Sequence, residues 1–123
     1  MTPVQIIGFP EEDSRVAEGL AANGCYARRI GRTSELQADR AVFVYGDNAG
    51  WLELLREIRA LHPSTFLVVV TRIPDSSKWL EALEAGANDY CSLPLERQQV
   101  QWLIRSFHAD TGHLSRGDGD VLT

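Results

Sequence analysis

Residues 66–94 (FLVVVTRIPDSSKWLEALEAGANDYCSLP) constrain the fold more than any other part of this 123-residue chain. The apolar run at 66–70 is short and rich in β-branched residues. Such a run predicts a strand covered on both faces, here ending on Thr71. A loop follows, then a helix on which Trp79, Leu80 and Leu83 recur at helical spacing before Gly86 stops it. A second short strand and the Leu93-Pro94 step complete a β-loop-α-β unit.

The rest of the chain arranges itself around that unit. Residues 4–9 (VQIIGF) read as a first buried strand, and Val16, Ala17, Leu20 and Ala21 form the apolar stripe of a first helix that Asn23-Gly24 stops. Residues 25–30 form a weaker second strand, placed near an edge by Arg28 and Arg29. Between 31 and 40 there is room for about one helical turn, at Thr33-Ser34-Glu35-Leu36. Residues 41–45 (AVFVY) are a third strand and 46–50 a turn. A helix over 51–61 puts Leu52, Leu55, Ile58 and Leu61 on one face. After Pro94, residues 96–107 carry Val100, Leu103, Ile104 and Phe107 at helical spacing, with Trp102 to the side.

This alternation predicts an α/β fold, a doubly wound five-stranded parallel sheet of flavodoxin-like order 2-1-3-4-5 with its second helix shortened. Residues 1–107 form the domain. Residues 108–123 lack apolar periodicity and read as a flexible tail or a linker to an absent output domain. The net charge of −5 gives no general attraction to nucleic acid phosphate. No apolar run is long enough to cross a bilayer and the start has no signal-peptide pattern, so a cytoplasmic protein without membrane partner is expected. Cys25 and Cys91 show no CxxC or metal spacing and read as free thiols. Phosphate-binding glycine loops are missing, and His62, His108 and His113 pair with no other ligand type at metal spacing.

TRIPDSSKWLEALEAGANDYCSLPL resembles the second half of a response-regulator receiver domain, whose outline is T/S-A, a loop, then A-x-x-A-G-A-x-D-Y-hydrophobic-x-K-P. Thr71 falls on that family's switch hydroxyl, Tyr90 on its switch aromatic, and Pro94 on its proline, usually preceded by a cis bond. The resemblance covers residues 4 to 107, specifically in the second half and weakly in the first. It implies a CheY-like fold and a place in two-component signalling. It also implies a pocket of two acids holding Mg²⁺, an Asp phosphoacceptor ending the third strand, a Thr or Ser, and a Lys. This chain departs from that set at most points. Gly8-Phe9 stands at the acidic pair, Tyr45 at the acceptor, and Leu93 at the lysine; Thr71 alone remains. The expected protein is a degenerate pseudo-receiver with no catalytic residue, metal or cofactor.

Two alternatives stay open. Asp47, two residues past Tyr45, offers a substitute phosphoacceptor, with Glu11, Glu12 and Asp13 as a displaced metal site. Against it, no cation stands in for the lysine missing at Leu93. Asp47-Asn48 also suits a plain turn, and the acidic cluster suits a helix start. The other alternative is a small-molecule sensor with its ligand at the switch point. In the favoured reading Phe9 and Leu93 fill the emptied pocket, and the Tyr45 hydroxyl lies near Thr71. Function then moves to the face of fourth helix, fifth strand and fifth helix, through Lys78, Trp79, Glu81, Asp89, Tyr90, Arg97, Gln101, Trp102 and Arg105. By analogy with receivers, this face would make a homodimer or dock an output domain of a transcriptional or signalling regulator. The plainer possibility is that Trp79 and Trp102 pack against neighbouring helices.

Overall fold

Five strands, β1 (Thr2–Ile7), β2 (Cys25–Ile30), β3 (Ala41–Tyr45), β4 (Leu67–Thr71) and β5 (Asp89–Ser92), form one parallel sheet in the order β2-β1-β3-β4-β5. Four helices connect or follow them: α1 (Arg15–Ala21), α2 (Trp51–Leu61), α3 (Ser76–Glu84) and α4 (Arg97–Arg116). This computed structural model describes residues 2–116, with side chains through residue 109; the expected tail therefore lies largely outside the described side chains, and its residues 117–123 lie outside the described residues altogether. The five-stranded flavodoxin-like architecture and its strand order are as the sequence predicts.

The sheet is buried on both faces because β3 and β4 are apolar at every position but Thr71. One core packs Phe9, Val16, Leu20, Val68, Val70, Val100 and Leu103 beneath α1 and α4. The other packs Ile7, Val44, Leu55, Ile58, Val69 and Ala82 beneath α2 and α3. The first strand stops at Ile7, two residues earlier than the sequence pattern implies. Gly8 then takes a positive φ of 87°, which only glycine adopts cheaply, and sends Phe9 back into the core. At the far end of α2, Leu61 is exposed rather than part of the buried stripe. Helix α4 continues to Arg116, nine residues past the boundary expected at 107.

The shortened second helix is a 3₁₀ turn, Thr33–Glu35, followed by an irregular segment leading into β3. Such a segment has backbone groups that no helix satisfies. Gln5, a buried side chain on β1, supplies part of the partnership: its Nε2 donates to the carbonyls of Gln37 (3.0 Å) and Arg40 (3.3 Å), and its Oε1 accepts from Gln37 N at 2.7 Å. Replacing Gln5 with Ala leaves those groups without partners in a half-buried setting. The expected loss is about 2 kcal/mol, read from urea denaturation. A loss within experimental error would mean that water takes over all three bonds.

Helix α3 departs most from expectation. Its N-terminus is capped by Asp75, whose carboxylate accepts from Ser77 N (2.8 Å) and Lys78 N (3.3 Å). The stripe of Trp79, Leu80 and Leu83 faces outward, with Trp79 45% and Leu80 52% exposed. Lys78, Ala82 and Ala85, spaced i, i+4, i+7, turn toward the molecule instead. The two alanines let the helix approach the sheet closely, which the larger side chains would prevent.

Candidate functional site

In an open α/β sheet, the carboxyl ends of the strands form the crevice where ligands sit. Here that crevice is lined by the residues after Ile7, Tyr45, Thr71 and Ser92. Phe9 is 5% exposed and packs its ring against Tyr45 with centroids 5.1 Å apart and planes tilted by 46°. Leu93 belongs to the same buried cluster, and the Leu93-Pro94 peptide bond is cis. Apolar atoms thus stand at the three positions where the receiver pattern has acids and a lysine.

Strand pairing continues one step past Tyr45, where Gly46 N donates to Val70 O at 2.8 Å. Only glycine fits there. A Cβ on residue 46 would lie 2.8 Å from Val69 Cγ1. The chain then turns through 46–50, as the turn reading expects, with Asn48 Nδ2 donating to Gly8 O at 2.6 Å. The turn does not leave Asp47 idle in solvent. Its carboxylate accepts a short hydrogen bond from Thr71 Oγ1, one from Arg72 N at 2.6 Å, and one from Lys78 Nζ at 3.3 Å. Arg72 Nε stands 3.8 Å away. Burial alone would raise the Asp47 carboxyl, but the bonds from Thr71, Arg72 N and Lys78 outweigh it and hold the group below its ordinary range.

One expectation is corrected here. A cation does stand beside Asp47: it comes from α3, and it is Lys78, which the sequence assigned to the outer face. The Thr71 hydroxyl donates to Asp47, with Ile73 O a second acceptor at 3.2 Å. Burial pushes the Tyr45 phenol up; Arg72 opposes this and Asp47 adds to it. Lys78 Nζ also lies 5.8 Å from the ring centre of Trp51, a cation–π contact at the start of α2. Lys78 was expected on the docking face, and neither it nor Arg72 was legible as a partner of Asp47, because both meet it only through the fold. The one available signal was a lysine in register with the inward-facing Ala82 and Ala85.

The acidic loop after β1 does not assemble a metal site. Glu11 and Glu12 are exposed. Asp13 receives Arg15 through Nη2 at 2.7 Å, Nε at 3.0 Å and its backbone N at 3.1 Å, which holds its carboxyl at about 2. That places it at the start of α1, as the helix-start reading expects. Among the described residues, no three His, Cys, Asp or Glu side chains cluster to hold a metal ion. The Mg²⁺ that the receiver fold implies therefore does not fit: Glu11 and Glu12 are exposed, and Asp13 and Asp47 are each engaged by a cation of their own chain, Arg15 and Lys78. Cys91 is buried in β5 with its thiol pushed up to about 12 by burial, and Cys25 is likewise buried and raised. Neither is set up as a nucleophile.

On the α3–β5–α4 face, Trp79 and Trp102 are exposed (Trp102 by 52%), as are Glu81, Arg97, Gln101 and Arg105. Neither tryptophan is buried against a neighbouring helix. Burial raises the Asp89 carboxyl, opposed by its hydrogen bond from Tyr90 N. The Tyr90 ring packs against the α2–α3 core, and its hydroxyl is buried with no hydrogen-bond partner among the described residues.

Comparison with solved structures places this architecture among receiver domains. A response regulator receiver domain protein of Clostridium thermocellum superposes with a TM-score of 0.73 at 16% identity, over 93% of this chain and 99% of its own. NtrX of Brucella abortus gives 0.75 at 20% identity over 99% of this chain, which spans 32% of NtrX. A Burkholderia thailandensis protein described as a pilus assembly protein (cpaE) gives 0.71 at 19% identity, over 89% of this chain and 99% of its own. These similarities show the receiver fold. Comparisons with family models and with curated proteins find no match.

Proposed function

We propose that this chain is a receiver-like signalling module that works without phosphoryl transfer, through protein–protein contacts on its α3–β5–α4 face. The observation that carries the reading is the state of the crevice. Phe9, Tyr45 and Leu93 fill it, and Asp47 spends its carboxylate on Thr71, Arg72 and Lys78. A carboxylate bound in this way is a poor nucleophile, and among the described residues no cluster of three His, Cys, Asp or Glu side chains stands beside it to hold a metal that would offset phosphoryl charge. Catalysis is not part of the role. The outward Trp79, Leu80 and Leu83, with the exposed Arg97, Trp102 and Arg105 of α4, supply aromatic and arginine anchors for a partner.

The same face carries acidic Glu81 and Glu84 on α3 and basic Arg97 and Arg105 on α4, a distribution that a two-fold related second copy would match. A homodimer is therefore the favoured assembly, attached to an output domain as in a transcriptional or signalling regulator. The much longer NtrX chain is a neighbour that has the fold within a larger protein.

One observation favours a second reading. Asp47, Thr71 and Lys78 bring together a carboxylate, a hydroxyl and an ammonium, the group types of a working phosphoacceptor pocket. An NMR amide titration separates the two. With Mg²⁺, then Mg²⁺ and beryllofluoride as phosphoryl mimic, the expected spectrum stays silent. Shifts centred on Asp47, Thr71 and residues 11–13 would establish Asp47 as a phosphoacceptor and remove the first reading.

A further inference from the structure

We infer that Lys78 is a built-in counter-cation whose bond to Asp47 positions α3, and with it the Trp79 docking surface. Its functional meaning rests on the docking face proposed above. The starting point is how weakly the rest of α3 is anchored. Of its nine residues only Ala82 is fully buried, and the large apolar side chains point to solvent. Small side chains permit close approach but specify orientation poorly, because few atoms interlock. A helix held in this manner needs another constraint to keep one position.

Lys78 supplies it from both ends of the residue. Its backbone N is fixed by the Asp75 cap at 3.3 Å, and its Nζ reaches Asp47 at 3.3 Å. The side chain of Lys78 is 22% exposed and that of Asp47 15%, so the pair is shielded from the screening that weakens surface ion pairs. Asp47 is itself immobilised by Thr71 Oγ1 and Arg72 N, at the end of β4. The Trp51 ring, at the start of α2, has its centre 5.8 Å from the same ammonium. The first turn of α3 is thereby tied to the β3–α2 turn, to the end of β4 and to α2. Trp79 is the next residue along. Any loss of the tether is transmitted to it directly.

The test uses amide hydrogen exchange and the indole N–H signals of Trp51 and Trp79 in the full chain, without Mg²⁺, beryllofluoride or a partner. Lys78→Met keeps the aliphatic stem and removes the charge. Exchange across α3 is expected to accelerate roughly tenfold, the scale set by losing one charge-assisted, partly buried hydrogen bond. Both indole signals are expected to move. Lys78→Arg should restore most of the protection. Asp47→Asn should reproduce the effect, and the double variant should be no worse than either single one, as a direct pair requires. Unchanged α3 exchange in Lys78→Met would overturn the inference. So would additive effects, or acceleration confined to residues 46–50, which would reduce Lys78 to a neutraliser of Asp47. Since these measurements concern the unmodified protein, they stand apart from the beryllofluoride titration: phosphorylation at Asp47 would defeat the proposed function and leave the tether intact.

Discussion

Replacing Phe9 with Asp is expected to cost about 4 kcal/mol of folding free energy and to create no Mg²⁺ affinity. The substitution puts an acid back where the receiver pattern has one. In this fold, however, it removes a 5% exposed ring packed on Tyr45 and leaves a charge in the cavity. Cations at this end of the sheet already have partners: Arg15 pairs with Asp13, Lys78 with Asp47, and Arg29 donates through Nη1 to the Phe9 carbonyl at 2.6 Å. Urea denaturation reads the stability loss, and isothermal titration with Mg²⁺ reads the binding. A variant that folds as well as the wild type and binds Mg²⁺ would show that the crevice is an intact site with one residue missing. The predicted outcome shows the opposite, a crevice rebuilt as core.

Trp79→Ala and Trp102→Ala make the contrasting prediction. Both side chains are about half exposed, so each truncation should change folding stability by no more than about 0.5 kcal/mol. If the α3–β5–α4 face joins two copies, each tryptophan is an anchor, and each truncation should weaken self-association roughly 30-fold. Sedimentation velocity across a concentration series measures this directly. A wild type that stays monomeric throughout, or variants that associate as tightly, would remove the homodimer from the proposal. The two experiments together separate residues that hold the fold from residues that serve its surface.

The strands and most helix limits were legible because local pattern determines them. The third strand, the second helix of the structure and the edge strand fall where β-branched runs, helical spacing and Asn-Gly or Gly punctuation put them. The shortened second helix was legible from chain length alone. What escaped was orientation. Periodicity tells which residues of α3 share a face but not which face looks inward. Trp79, Leu80 and Leu83 outweigh Ala82 and Ala85 in hydrophobicity, yet close packing on the sheet selects the small ones. The same limit hid the site. Lys78 meets Asp47 across 31 residues, and Gln5 meets Gln37 across 32, through tertiary contacts that no local spacing encodes. The departures from the receiver pattern at Gly8-Phe9, Tyr45 and Leu93, by contrast, were legible from the sequence itself, because a change of residue type needs no geometry to be noticed.

The edge position of β2 also bears on how copies of the protein avoid sticking to one another. Among the described residues β2 is the outermost strand, and its far side is a row of backbone donors and acceptors with no partner strand. Such a margin is a template for runaway sheet growth. Here it bears Arg28 and Arg29, both exposed and, as neighbours on a strand, directed to opposite faces, so two β2 margins brought together would set like charges near one another on each face of the joined sheet. Growth by strand addition is discouraged at this end of the sheet, and a concentrated solution should remain clear rather than fibrillate.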